Sequence, residues 1–84
     1  MRLDKYLKNS RLIKRRTVAK EACDGGRVSV NGRVAKAGAE LEVGDEVEIT
    51  FGNSSLKIKV TSLNESPRKE DAHDMYEVID NSKA

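Results

Sequence analysis

Eight basic side chains crowd the first twenty residues: Arg2, Lys5, Lys8, Arg11, Lys14, Arg15, Arg16 and Lys20. Arg27 and Arg33 follow beside two turn signals, with Lys36 as a weaker member of the set. Cations at this density bind a polyanion, most often nucleic acid, by neutralising phosphates and releasing their counterions. Arg16 ranks first. It opens a predicted helix, so its planar guanidinium can meet a phosphate that also meets free helical amides. Charge is divided along the chain: residues 1–36 hold eleven Lys and Arg against three Asp and Glu, and residues 37–84 hold five against eleven. Mixed signs would serve solubility equally well, so the lopsided placement favours a binding surface over a merely solvated face.

Other chemistry has little to work with. Cys23 is the single cysteine and His73 the single histidine. Cys23 falls on an apolar helix face with no histidine near in sequence, which reads as a small core residue rather than a nucleophile. His73 stands between acidic residues in a polar segment and reads as a surface histidine. Asp24 and Asp45 have no evident partner for acid–base work. The chain carries no zinc ligand set and no calcium loop. Gly25-Gly26 and Asn31-Gly32 are turn signals, not a phosphate-binding loop. The sequence therefore predicts no enzyme, no metal and no cofactor. A lone cysteine forms no internal disulfide, and MRLDKYL has no apolar signal region, so the expected compartment is the cytoplasm.

Two short helices must position the basic set. Leu3, Tyr6, Leu7 and Ser10 share one side of a helical period over Leu3 to Ser10, with Lys5 and Lys8 opposite and Asp4 suited to the dipole of the first turn. Leu12 and Ile13 lie in the connection, available to the core. Arg15 to Asp24 reads as the second helix, with Val18, Ala19, Ala22 and Cys23 as its apolar face. Arg16 and Lys20, four apart, share a neighbouring face. The small Ala19 and Ala22 admit a close approach of the first helix. Gly25 and Gly26 end the second helix.

The period then changes. Val28 and Val30 alternate as in a half-buried strand, Asn31-Gly32 predicts a primed hairpin turn, and Arg33 and Val34 return. Val47, Ile49 and Phe51 alternate with Glu46, Glu48 and Thr50. Leu56, Ile58 and Val60 alternate with Lys57, Lys59 and Thr61. The two runs read as antiparallel partners with Glu facing Lys. Tyr6 and Phe51 read as core. With Tyr76 they are the only aromatic residues, too few for a single-strand stacking platform. Residues 64–74 read as a polar loop holding Pro67, with one helical turn near Lys69 to His73. Met75, Tyr76, Val78 and Ile79 form a last apolar patch docking on the sheet, and Asp80 to Ala84 should fray. The expected fold class is α+β, with two short N-terminal helices packed on a small curled antiparallel sheet. The expected organisation is an RNA-binding domain over 1–64 and, over 65–84, a polar loop with a short segment docking on the same domain.

RNA is favoured over DNA because the bases lie on both helices and their link. That layout suits backbone-shaped recognition of folded RNA better than a recognition helix in a groove. The segment LDKYLKNSRLIKRRTVAKEACDGGRVSVNGRVAKAGAELEVGDEVEI resembles the RNA-binding domain named after ribosomal protein S-four, the alpha-L motif. Its marks here are Leu3-Asp4 with Leu7, Arg16 with Ala19, Val28-Ser29-Val30-Asn31-Gly32 and Val43-Gly44-Asp45. Lys14 departs from the family's pattern, in which serine caps the second helix. Lysine supplies no such cap. With RKEDAHDMYEVI, Arg68 to Ile79, nearly the whole chain is similar to the ribosome-associated quality control P (RqcP) family of Firmicutes-type bacteria.

That resemblance implies a non-enzymatic binding factor of obstructed large ribosomal subunits. It would hold peptidyl-tRNA in a P-site-like position, touching it and nearby rRNA. An NFACT-family partner, RqcH, would supply alanyl-tRNA for C-terminal alanine tailing. The family's functional arginines map to Arg2 and Arg16, with Lys5, Lys8, Arg11, Arg15 and Lys20 as phosphate contacts. The expected state is a monomer with no membrane partner. The runner-up is the related small heat-shock ribosome-binding factor, which would rescue or recycle such subunits. That relative carries a longer basic C-terminal extension, whereas this chain closes on an acidic stretch. A large-subunit assembly factor is a third reading. Of other classes, a DNA-binding regulator or an accessory to an RNA-modifying enzyme are the weaker alternatives, the latter because 84 residues leave no room for a catalytic domain.

Overall fold

The change of hydrophobic period near residue 27 is where the chain turns from helix to sheet. The computed structural model describes residues 1–64, 72 and 74–83, the last three as backbone. Helix α1 spans Leu3–Asn9 and α2 spans Arg16–Asp24. Strands β1 (Val28–Val30), β2 (Arg33–Val34), β3 (Glu46–Phe51), β4 (Ser54–Val60) and β5 (Tyr76–Lys83) form one antiparallel sheet in the order β2-β1-β3-β4-β5. The expected α+β class is the observed one.

The apolar stripes meet in a single core. Leu3, Tyr6 and Leu7 of α1 and Ala19, Ala22 and Cys23 of α2 are buried with Val28, Val47, Ile49, Ile58 and Val60 of the sheet. Ile13 of the link is buried in the same cluster. Each large side chain removed from water stabilises the fold by about 1.5 to 3 kcal/mol before the opposing chain entropy is counted. The Tyr6 hydroxyl donates to the Met75 carbonyl at 2.6 Å, fastening α1 to the entry of β5. Burial moves the Tyr6 phenol pKa upward, so it stays a donor at any physiological pH.

Helix ends are satisfied largely by backbone. The Leu3 and Asp4 amides donate to the carbonyls of Ala39 and Ala37 at 2.8 and 3.1 Å. Arg2 and Glu40 form a backbone bridge, and the Leu41 amide donates to Met1. The connection from β2 to β3 therefore wraps the start of α1. The N-cap of α2 is Arg15, one residue beyond Lys14, where the expected capping position lay, and it makes no side-chain cap bond. Asn31 and Gly32 have φ of +51° and +86° between the paired Val30 and Arg33, the primed turn that the dipeptide predicts.

Several expectations are corrected. Val18 is 46 % exposed, at the margin of the α2 stripe rather than on its buried face. Phe51 is 47 % exposed: alternation puts it on the face of Val47 and Ile49, but at the strand end, beyond the helical cover. The segment expected to fray after Ile79 is paired backbone, since β5 continues to Lys83 opposite Ser54. A bulge between Lys57 and Ile58 breaks its register, and Val78 and Ile79 remain half exposed. On the outer face Lys57 reaches Glu46 at 3.3 Å, diagonally rather than directly across. The helical turn expected near Lys69 to His73 and the surface role of His73 lie outside the described residues, apart from Ala72, which is buried.

Candidate nucleic-acid interface

Asp4 organises the basic surface. It sits in the first turn of α1 with its side chain only 4 % exposed, flanked by one arginine before that helix and one at the start of α2. Arg2 Nε donates to Asp4 Oδ1 and Arg16 Nε to Asp4 Oδ2, each at 3.3 Å. The Lys5 amide donates to Oδ1 at 2.8 Å. One buried carboxylate thus holds two guanidiniums, those of Arg2 and Arg16, fourteen residues apart in sequence, on neighbouring sites. Both arginine side chains stay about half exposed, at 50 % and 49 %. Each uses its inner nitrogen on Asp4, and the terminal nitrogens are those that form a fork for phosphate. The Arg2 guanidinium runs along Gly38, 3.6 Å from where a Cβ would stand.

Burial, the largest single influence on Asp4, raises its pKa. The Arg16 hydrogen bond, the Lys5 amide and the charges of Arg16 and Arg2 together outweigh it, and the net shift is downward from 3.8. The carboxylate is therefore ionised at neutral pH and keeps both arginines in place. Sequence reasoning gave Asp4 only a dipole role. Its acidic type between two arginines was the available signal, and the packing of α2 on α1 supplied the rest.

The remaining basic residues are placed as follows. Lys8 is exposed in the last turn of α1, and Lys5 is half-buried in its middle. Arg11, Lys14 and Arg15 are exposed along the link. Lys20 lies one turn after Arg16 on α2 and borders a shallow depression with Thr17, Glu21, Asp24 and Gly25. With Arg2 and Arg16, these positions lie along the two helices and the link between them. Arg27 lies past the end of α2, its Nε 3.8 Å from where a Gly25 Cβ would stand, and Arg33 is exposed on β2 at the sheet edge opposite β5. Arg27 and Arg33 thus form a second basic location on the β1–β2 side. Lys36 is exposed after β2.

Cys23 offers no competing chemistry. It is fully buried, and burial, with the negative charges of Asp4 and Asp24, pushes its thiol up to about 11. At neutral pH it is a protonated core residue.

Residues 1–47 match the model of the S4 domain. The chain belongs to the S4 domain family. Over 83 residues it is 58 % identical to the RQC P-site tRNA stabilizing factor of Streptococcus pneumoniae, a match covering 99 % of this chain and 94 % of that protein. It is 56 % identical over 78 residues to the protein of the same name from Halalkalibacterium halodurans, covering 93 % and 89 %. Among solved structures, the S4 fold described here is similar to the trimeric Heat Shock Protein 15 of Vibrio cholerae, with a TM-score of 0.87 at 29 % identity over 94 % of this chain and 81 % of that one. The S4 match spans both helices, the hairpin and the start of β3, so it contains every basic residue of the candidate interface.

Proposed function

We propose that this protein is an RNA-binding factor of ribosome-associated quality control. It binds obstructed large ribosomal subunits that carry peptidyl-tRNA and stabilises the tRNA in a P-site-like position. The observation that carries the reading is the 58 % identity, over nearly the whole of both chains, to a protein named for that task. The arginine pair on Asp4 supports it physically, because two braced guanidiniums contact phosphates with less ordering cost than free side chains. The footprint is Arg2, Lys5, Lys8, Arg11, Lys14, Arg15, Arg16 and Lys20, extended by Arg27 and Arg33. The proposed division fits this use: 1–64 bears the footprint, and within 65–84 strand β5 completes the sheet. The protein binds and positions, and peptide-bond chemistry belongs to the ribosomal RNA. It acts in the cytoplasm as a monomer, and with an NFACT-family partner, RqcH, supports alanine tailing of the stalled chain.

A second reading, rescue or recycling of obstructed subunits by a small heat-shock ribosome-binding factor, is favoured by the likeness to the Vibrio cholerae fold. Co-sedimentation at physiological salt with vacant large subunits, intact ribosomes and large subunits carrying peptidyl-tRNA tests the shared part. Selective binding to the third species, weakened in Arg16→Ala, is the expected result. Equal binding to all three would refute it. Addition of the NFACT partner and alanyl-tRNA then separates the two readings: alanine tails that depend on this protein support the first, and their absence despite selective binding supports the second.

A further inference from the structure

We infer that the outer edge of β5 is a docking site for an extended strand of another protein, one that alternates basic with apolar residues. The inference does not depend on the RNA-binding reading, whose residues lie elsewhere in the fold. β5 closes one end of the sheet: among the described residues it pairs with β4 and with no strand beyond. A strand in that place presents a row of backbone amides and carbonyls able to pair with one more chain. Proteins blunt such edges by keeping them short or by placing lysine or proline on them. The opposite edge follows that rule, since β2 is two residues long and bears Arg33. β5 runs for eight residues, and Tyr76 to Ser82 contain neither lysine nor proline. Val78 and Ile79 at its middle are about half exposed. A bulge bends this edge and two acids charge it, which discourages pairing with a like strand but not with one of opposite charge.

The register of the sheet specifies what the next strand carries. Residues directly opposite each other share a face. On the outer face one row reads Glu46, Lys59, Glu77, and another reads Glu48, Lys57, Asp80. Sign alternates from strand to strand, and both rows reach the edge on a carboxylate. On the inner face Val47, Ile58 and Val78 form the row between them, buried at the first two and open at Val78. A strand that continues these rows sets a basic residue beside Glu77, an apolar one beside Val78 and a basic one beside Asp80. A carboxylate that already faces a lysine keeps lone pairs for a second cation.

A second copy of β5 is the wrong occupant. With its apolar residues laid against Val78 and Ile79, acid would face acid, a destabilising cross-strand arrangement. The edge therefore selects a different protein through a basic, alternating segment. Backbone hydrogen bonds hold such an added strand, and its alternate side chains set the choice of partner.

The test uses the isotope-labelled full chain and three blocked peptides. One alternates lysine with valine, one alternates glutamate with valine, and one has the composition of the first with its valines in a single block. The alternating basic peptide should shift the amide resonances of Tyr76–Lys83 and slow their hydrogen exchange, leaving α1 and α2 unmoved. The other two should do neither. Glu77→Gln with Asp80→Asn should weaken that binding about two- to thirtyfold. Glu77→Lys with Asp80→Lys should exchange the basic peptide for the acidic one, and if this pair unfolds the chain the neutral pair decides alone. Equal binding of the blocked-valine peptide, or undiminished binding by the neutral pair, would reduce the effect to general charge attraction and overturn the proposal. It is overturned too if no peptide reaches β5, which leaves the acids as guards of a closed edge. Resonances of β5 that move with protein concentration alone would give the edge to a second copy and overturn it as well.

Discussion

A single carboxylate decides how two arginines are presented. Asp4→Asn keeps the shape of the side chain but removes the charge that Arg2 and Arg16 share. Hydrogen bonds from charged groups to a buried acceptor contribute about 1 to 3 kcal/mol, so thermal or urea unfolding should show a loss of that order. RNA affinity should fall with it, although no base has been removed, because both guanidiniums lose their brace. Stability should follow pH in a way that fixes the cause. The Asp4 pKa is lowered on folding, so its contribution is complete above its ordinary 3.8 and disappears as pH drops through the lower folded value. The gap in Tm between wild type and Asp4→Asn should therefore be constant from neutral pH to about 5 and close under stronger acid. Arg16→Ala should weaken subunit binding uniformly and flatten its salt dependence by about one phosphate, with a smaller loss of Tm than Asp4→Asn because Arg2 and the Lys5 amide still hold the carboxylate. The cations themselves were legible from type and position. Asp4 was not, because its role depends on α2 lying against α1, a tertiary fact that no local window contains.

At the level of elements, the two helices and the first hairpin followed from local rules. Helical spacing of Leu3, Tyr6 and Leu7 and of Ala19, Ala22 and Cys23 marked the buried faces, and Asn31-Gly32 marked the turn. Gly32→Ala should cost about 1 kcal/mol in a denaturation series, since φ there is +86°. The last strand was less legible. Its alternation is interrupted by a bulge, and after Asp80 its residues are polar, so nothing apolar announced a partner for β4. Val18 and Phe51 misled for a related reason: period assigns a face, but cover by another layer decides burial. The outer face of β3 and β4 carries Glu46 and Glu48 opposite Lys59 and Lys57. Replacing both glutamates with alanine should leave RNA affinity within about twofold of wild type in a salt titration, because the proposed footprint lies on the helices, their link and the β1–β2 side, away from β3 and β4. A loss equal to that of Arg16→Ala, with the fold intact, would place part of the footprint on β3 and β4.

At the scale of the molecule, basic helices and a sheet of mixed charge share one core, and the Tyr6 hydroxyl is the stitch between the first helix and the entry of the last strand. Tyr6→Phe removes that donor while the Met75 carbonyl still accepts from the Thr61 and Ser62 amides at 3.0 and 3.3 Å, so unfolding experiments should register only about 0.5 to 1.5 kcal/mol. RNA affinity measured well below Tm should be nearly unchanged, which separates the stitch from the footprint. The same bond bears on how the chain is made. Its two ends are separated by 69 positions. At about 5 to 20 residues per second, roughly 3 to 14 s pass between synthesis of Tyr6 and of Met75. Until then α1 lacks this fastening and has only α2 and the earlier strands to pack on, with which it shares the core. The tie between the two ends of the fold is thus made last, after almost all of the polypeptide has been translated, so the first element synthesised is the one whose anchoring is completed latest.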